Sequence, residues 1–333
     1  MKMKSSVYKF TSQCENEILD LIKLDNWHCW LALLEDYSLI CISVVATCWI
    51  SWYLYPLAIL IIGSRQRALA TLLHEAAHQT LAKNKHLNFA IGTFFSGYLI
   101  LQTMGAYRES HVRFHHGHFG DMNLDPDYKF AMEQGWYDRT MLRQEFVSKN
   151  IIMPLFLTKV WSYIRYLIQH RILDRNYAKE TIVMVAYLGM LASILTALGL
   201  EKIIFLFWIV PYLTTFQIIS WFIEMSEHYP LMQNTVNLYM SRNRKGNWLE
   251  IFLTGMHNEN YHLVHHLNPK ISFWNVYRAH QIYMQDENYA QFDSKTGGLF
   301  FSVNNAPSII QSIINNIRLR DEMLQVLEGK QCK

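Results

Sequence analysis

Histidines are concentrated in three short stretches of the chain, and their spacing suits metal binding. Two histidines four residues apart share one face of a helix, and an adjacent pair offers ligands that diverge towards two nearby ions. Imidazole is the commonest protein metal ligand near neutral pH, and without a cysteine cluster these groups favour iron, zinc, copper or nickel over magnesium or calcium. Eight nitrogens are too many for one tetrahedral ion and suit two. The groups are His74 and His78; His111, His115 and His116; and His262, His265 and His266.

Long apolar runs between these groups predict that a membrane bundle positions them. Residues 37–62 carry no charge and exceed the length that a helix needs to cross the hydrocarbon core, with a kink or a turn between two helices at Pro56. Residues 181–200 and 203–222 predict a transmembrane hairpin. The predicted fold is mainly α: an integral membrane bundle of about four spanning or re-entrant helices, with a cytosolic helical cap that carries a His-rich dimetal site.

The apolar run 87–106 is long enough to span, but a crossing would put the first two histidine groups on opposite sides of the membrane. One shared site forbids that, so we expect this run to be re-entrant or interfacial, or a short hairpin, with Gly92 and Gly97 permitting a bend. The positive-inside rule places the histidine side in the cytoplasm, because basic residues gather before the later hairpin rather than at its tip. They are Lys159, Arg165, Arg171, Arg175 and Lys179.

Composition narrows the classes of function. The chain has 333 residues, of which 51% are hydrophobic and 17% charged, and these values fit a mixed membrane and cytosolic protein. A net charge of +3 without a long basic run argues against nucleic acid as a partner. Five cysteines without a Cys-x-x-Cys pair predict no disulfide framework and a reducing compartment.

The chain is predicted to have three segments. Residues 1–36 form an N-terminal cytosolic or interfacial segment, whose apolar residues 18–24 predict a helix that lies at the interface or packs on the cytosolic part. Residues 37–280 form the membrane domain with its cytosolic metal site. Residues 281–333 form a C-terminal cytosolic helical tail, with an amphipathic helix between Pro307 and Gly329. The acidic stretch 120–128 is expected to be a solvated loop.

The order and spacing of the histidine groups resemble the three histidine boxes of the membrane fatty acid desaturase superfamily, a group of non-haem di-iron enzymes. The similarity covers roughly residues 37–280 and includes Gly63-Ser-Arg-Gln-Arg-Ala-Leu-Ala and His265-His-Leu-Asn-Pro-Lys-Ile-Ser-Phe-Trp274. The resemblance implies two iron ions as cofactor, O2 as cosubstrate and attack on an unactivated C–H bond. It assigns no separate catalytic residue beyond the di-iron centre.

Family sites use a further histidine between the hairpin and the last box, and Glu227-His228-Tyr229 resembles that feature. The resemblance thus makes His228 the ninth metal ligand. Metal-bound histidines usually donate their other ring N–H to a carboxylate or a carbonyl. The residues expected to lie beside the ligands in this way are Glu75, Glu109, Asp125, Glu227, His257 and Glu259.

The implied function is O2-dependent desaturation of an acyl lipid, with the alkyl chain in an apolar tunnel. Three residues between His111 and the next pair also fit hydroxylases and monooxygenases of alkyl, sterol or carotenoid substrates. His74-Glu75-Ala-Ala-His78 taken alone fits a membrane zinc metalloprotease, and a metal transporter is a further alternative.

No haem or iron–sulfur motif is present in the sequence, so electrons must come from a separate donor of the ferredoxin or cytochrome b5 type. The expected partners are that donor, a lipid or acyl substrate and the membrane, but not nucleic acid. The expected location is a bacterial inner membrane, with the metal site facing the cytoplasm.

Overall fold

A computed structural model describes residues 6–317, and every regular element in that range is a helix. Four helices are long and apolar enough to cross a membrane. We call them the first to fourth spans: His28–Ile50, Trp52–His78, Arg175–Ala197 and Glu201–Gln233. The predicted fold class is confirmed, and the chain is an integral membrane protein.

The second span is the centre of the bundle, whereas the third lies at its edge. Inside the protein, 72% of the apolar window of the second span is buried, against 6% for the third. The second and fourth spans approach closely at Gly63, where an added Cβ would lie 2.1 Å from the hydroxyl oxygen of Thr215. Small residues allow such close helix crossings in membranes. The apolar surface of the third span is left to face lipid.

The predicted first membrane segment, residues 37–62, is divided between two spans. The break lies at Ser51, whose backbone is extended, and Pro56 is in the first turn of the second span. The first span begins at His28, earlier than the charge-free run, because Asp36, the last charged residue before that run, is held inside the protein. Asp36 is fully buried and lies 3.4 Å from the guanidinium of Arg65 in the second span.

Two pairs of shorter helices are sharply bent. Lys85–Ile100 and Met104–His116 meet at 91°, and Arg143–Leu155 and Val160–Ile172 meet at 77°. The first bent pair contains the apolar run 87–106. Because histidines from just before and just after this run converge at one site, the chain does not cross the membrane between them, as predicted. An added Cβ at Gly92 would lie 2.2 Å from that of Ala76, so the bent pair packs tightly on the second span.

The remaining elements form a cap over one end of the spans. The N-terminal helix is Ser12–Leu19, earlier in the chain than the predicted residues 18–24, and it packs through Cys14 and Ile18 against the rest of the cap, as in the packing alternative. The late amphipathic helix is present from residue 309 to the end of the described range, and Leu324 and Leu327 lie outside that range. The limits of the three predicted segments remain a prediction. The helices of the cap are Ser12–Leu19, Pro126–Glu133, Trp248–Thr254, His262–Leu267, Val276–Tyr283 and Glu287–Asp293.

Candidate metal centre

Four structural elements bring nine histidines together at the cap end of the spans. Each element ends at or near this site, and helical spacing turns its histidines to one side. The last turns of the second span, the end of the first bent pair, the fourth span and the short helix His262–Leu267 contribute them. The nine are the eight box histidines and His228, the residues that the sequence predicts as metal ligands.

The histidines form two adjoining groups. In the first group one ring nitrogen of each residue lies within 4.8 Å of those of the others. In the second group the Nε2 atoms are 2.9 Å apart between His262 and His228 and 3.1 Å apart between His266 and His262, and His115 completes it. The rings of His116 and His266 stack across the boundary, with centroids 4.5 Å apart. The first group is His74, His78, His111, His116 and His265.

The donor set fits two transition-metal ions. Nε2 of His265 lies 3.0 Å from Nε2 of both His74 and His116, so several nitrogens converge on one point. Nε2 of His115, which is buried, has no hydrogen-bond partner among the described residues. The Nδ1 atom of His115 faces the Asp125 carboxylate at 3.0 Å, and this contact leaves the Nε2 lone pair free for a cation.

Burial keeps the third box in the form that metals bind. It lowers the pKa of His262, His265 and His266 well below the ordinary histidine value, and neighbouring imidazoles add to the effect. These residues are therefore neutral at pH 7. Metal ligation requires the neutral imidazole, so no proton has to be displaced there.

Asp125 is the best placed of the predicted carboxylate partners. It is fully buried, binds His115, and also accepts hydrogen bonds from the backbone N–H groups of Gly120, Asp127 and Tyr128. The expectation that residues 120–128 form a solvated loop is wrong at this residue, because the loop folds back around the carboxylate.

Three other candidate carboxylates also lie at the centre. Glu75 is 3.3 Å from Nδ1 of His74, and Glu227 is 3.5 Å from Nε2 of His262. Glu259 binds Arg67 and Thr71 rather than a box histidine. Each of them is held by further protein groups as well.

Two candidates contact other groups. Glu109 accepts a hydrogen bond from Arg113 at 2.7 Å and faces the hydroxyl of Tyr177. Nε2 of His257 donates to the Asp36 carboxylate at 2.8 Å across the bundle. Neither residue is placed beside a box histidine by these contacts.

Sequence reasoning missed several charged residues that the fold brings to this region, including Asp127, Asp36 and Arg171. Asp127 lies 3.4 Å from Nδ1 of His115 and 3.7 Å from Nδ1 of His111. Asp36 binds His257, and Arg171 is buried beside Asp127. The sequence did contain a signal for Asp36. Burying a carboxylate at the edge of a membrane segment costs free energy unless the charge has a partner.

A cavity of about 90 Å³ reaches both histidine groups, and we call it the polar chamber. Six of the nine histidines line it, together with tyrosines and several charged side chains. Apolar side chains such as Leu167 and Val276 share this lining with ionic residues of the spans and bent pairs, so the cavity is mixed in character, and the apolar tunnel remains a prediction. The charged lining residues are Arg67, Glu75, Asp127, Arg171, Glu224, Glu227 and Glu259.

A second cavity, the apolar groove, has a volume of about 460 Å³ and lies among the first, third and fourth spans. Leucine, isoleucine and aromatic side chains line nearly all of it, among them Leu191, Ile204 and Phe207. Among the described residues, no residue lines both the groove and the polar chamber, and no box histidine lines the groove.

Comparison with known proteins shows to which family this chain belongs. The fatty acid desaturase family matches the chain over residues 50–294, which include all nine histidines. The chain belongs to this family. It is similar to the dihydrorhizobitoxine desaturase of Bradyrhizobium elkanii, with 40% identity over 335 residues that cover 97% of this chain and 94% of the relative.

A second relative matches a shorter part of this desaturase-family protein. An sn-1 acyl-lipid omega-3 desaturase (ferredoxin) of Synechocystis sp. is 31% identical over 112 residues, which are 32% of this chain and 30% of the relative. Family membership makes the protein an oxidoreductase. It also leaves the zinc metalloprotease hypothesis without support, since the Glu75 carboxylate already accepts hydrogen bonds from Thr80 and from the backbone of Phe273.

Proposed function

We propose that the protein is an O2-dependent desaturase that introduces a double bond into a saturated carbon chain, with dihydrorhizobitoxine as the first substrate to test. The observation that carries this proposal is the 40% identity to dihydrorhizobitoxine desaturase along nearly the full length of both chains. In the reaction a –CH2–CH2– unit loses two hydrogen atoms. O2 takes them up with two further electrons and two protons, and two water molecules leave.

We assign the nine converging histidines as the ligands of two iron ions. Iron bound there supplies the oxygen chemistry that removes hydrogen from an unactivated C–H bond. The protein's part is to hold the ligands and to exclude water. Asp125 fixes the ring of His115 through Nδ1, and Asp127 lies beside the same ring and that of His111. Such outer contacts orient the ligands and tune the metal.

The electron donor and the orientation belong to the same proposal. A ferredoxin is the donor to test first, because the name of the Synechocystis relative includes it. The histidine end of the bundle faces the cytoplasm of a bacterial inner membrane. The exposed side chains of Arg165, Arg175 and Lys179 support this orientation, whereas Arg171 is buried and contributes nothing to it.

Turnover by the purified protein tests the proposal. The full-length protein in lipid nanodiscs, loaded with ferrous iron, is supplied with O2, reduced ferredoxin and dihydrorhizobitoxine, and the products are measured by mass spectrometry. We expect a product lighter by two hydrogen atoms. A product heavier by one oxygen atom would establish a hydroxylase instead, and an unchanged substrate would count against the proposal.

Acyl-lipid desaturation is the second candidate, and the apolar groove is the observation that favours it. The groove offers an alkyl chain an almost entirely apolar lining among the spans. The partial similarity to the acyl-lipid desaturase points the same way. Lipid analysis of cells with and without the protein separates the two candidates, because only the second adds double bonds to the membrane acyl chains.

A further inference from the structure

The carboxylates around the box histidines approach the imidazole rings from two different sides. Asp125 and Asp127 face Nδ1 of His115, and Glu75 faces Nδ1 of His74. Nδ1 is the outer nitrogen of these rings, because the Nε2 atoms of the box histidines are the ones that converge on one another. These three carboxylates therefore orient ligands from outside and do not meet a metal ion themselves.

Glu227 approaches from the inner side. Its Oε2 atom lies 3.5 Å from Nε2 of His262, and that nitrogen lies 2.9 Å from Nε2 of His228 and 3.1 Å from Nε2 of His266. One ligand atom from each of Glu227, His228 and His262 lies within 4.8 Å of the other two. Among the described residues, Glu227 is the one carboxylate that contacts a box histidine at Nε2. It occupies the position of a metal ligand rather than that of an outer partner.

Arg244 fixes the Glu227 carboxylate in this position. Oε1 of Glu227 accepts a hydrogen bond from Arg244 at 3.1 Å, and both side chains are buried. The other terminal nitrogen of Arg244 donates to the backbone carbonyl of Thr254 at 2.6 Å, so the guanidinium is held at two points. A carboxylate can accept at both of its oxygens, and Arg244 binds only Oε1. Oε2 thus keeps its lone pairs for a cation on the histidine side.

The numbers of histidines in the two groups also favour a further ligand. The first group has five imidazoles, and the second has four. Adding Glu227 gives each group five protein ligands. Two histidines and one carboxylate form a ligand set that binds ferrous iron at non-haem sites. In the second group, His228, His262 and Glu227 provide such a set.

We propose that Glu227 is a tenth metal ligand, which binds the ion of the second histidine group through Oε2, and that Arg244 positions this carboxylate. The inference rests on the proposed iron site and goes beyond it, because the nine-histidine assignment leaves Glu227 as an outer partner. It also makes the two ions unequal. The protein offers only imidazole nitrogens to the first ion but an anionic oxygen as well to the second.

Mössbauer spectroscopy tests this inference without turnover, because each chemically distinct iron gives its own quadrupole doublet. The full-length protein in lipid nanodiscs is loaded under nitrogen with isotopically enriched ferrous iron. We expect two doublets of equal area in the wild type. In Glu227→Gln one doublet should change and the other should persist. The affinity for one of the two ions should fall by more than about 10-fold, since the loss of an outer partner alone costs about 10- to 100-fold.

Matched variants separate a ligand from an outer partner. Glu75→Gln changes a buried carboxylate that faces the outer nitrogen of His74, so it should leave both doublets at their wild-type positions. Arg244→Gln keeps the Glu227 carboxylate but releases it, and it should alter the same doublet as Glu227→Gln. Glu227→Gln leaves the buried Arg244 charge unpaired, which destabilises the fold. The double variant Glu227→Gln/Arg244→Gln removes both charges, and unfolding temperatures show which variants are folded.

The outcomes distinguish this inference from the proposed function. It is overturned if the wild type gives a single doublet, if Glu227→Gln or the double variant keeps both wild-type doublets, or if Glu75→Gln changes the spectrum as Glu227→Gln does. In those cases nine histidines could still hold two iron ions, and desaturation could still stand. Conversely, the expected spectra without any double-bond formation would retain Glu227 as a ligand and remove the proposed function.

Discussion

The polar chamber and the apolar groove lie in one helical bundle but have different linings. Charged side chains, histidines and tyrosines line the chamber together with apolar residues, whereas almost only apolar side chains line the groove. The groove is lined mainly by residues of the spans, and its apolar side chains need no hydrogen-bond partners. The charges of the chamber persist only because each is paired, as Arg67 is with Glu224 and Glu259. The chemistry and the hydrophobic surface of this protein are therefore separated in space.

The largest expected effect comes from breaking the histidine site while leaving the groove intact. His265→Ala removes the ring whose Nε2 atom lies 3.0 Å from those of both His74 and His116. We expect iron loss and a fall in activity of more than about 100-fold, since the loss of outer partners alone costs about 10- to 100-fold. Iron analysis and product mass spectrometry measure both. His86→Ala, an exposed histidine, is the control, and wild-type iron content in His265→Ala would refute the ligand assignment.

The next largest effect concerns Asp125 and Glu109, two carboxylates that the sequence analysis predicted to lie beside metal ligands. Asp125→Asn removes the charge that orients His115, and we expect iron affinity to fall by about 10- to 100-fold. Glu109→Gln should leave it unchanged, because Glu109 binds Arg113 instead. Competition for iron with a chelator gives both affinities. Equal losses in the two variants would show that the contact with His115 does not tune the metal.

The contrast between Asp125 and Glu109 also shows how much of the site could be predicted from the sequence. The box histidines follow from local spacing on helices, and His228 from a resemblance, so the residues predicted as ligands do converge. The bent geometry of residues 85–116 follows from one topological constraint. Apart from His228, these predictions need only neighbouring residues or the sidedness of a membrane.

The charged lining of the chamber could not be predicted in that way. Arg67 meets Glu259 across 192 residues of sequence, and His257 meets Asp36 across 221. In the sequence, Arg171 is one of several basic residues that precede a membrane hairpin. In the structure it lies in the second bent pair and is buried. Such contacts depend on tertiary packing. The expectation of an apolar tunnel came from a family resemblance, which does not determine the lining of one member's cavity.

A smaller effect concerns the ion pair that ties the cap to the first span. Burial alone would lower the pKa of His257, but the Asp36 carboxylate outweighs it, and the pKa lies above the ordinary value. The pair therefore stabilises the fold fully below about pH 6.5, and the contribution is lost as pH rises through the raised pKa. We expect the unfolding temperature of the wild type to fall over this rise in pH more than that of His257→Gln.

Asp36→Asn serves as the matched control for this pair, because it removes the carboxylate and leaves the imidazole in place. His257→Gln should flatten the pH profile, whereas in Asp36→Asn burial lowers the pKa of the remaining imidazole, so the unfolding temperature should rise rather than fall as the pH rises through about 6.5. Identical profiles for the wild type and His257→Gln would mean that the pair carries no pH-dependent stability.

The smallest expected effect is the one that tests the separation of the two cavities directly. Ala192→Phe places a large side chain in the apolar groove, at an exposed position of the third span. If the groove holds only lipid, turnover should change by no more than about twofold, the scale of a surface substitution. The rate of double-bond formation in nanodiscs measures it. A loss of more than about tenfold, comparable to a damaged site, would show that the groove delivers the substrate, and acyl-lipid desaturation would then be the better proposal.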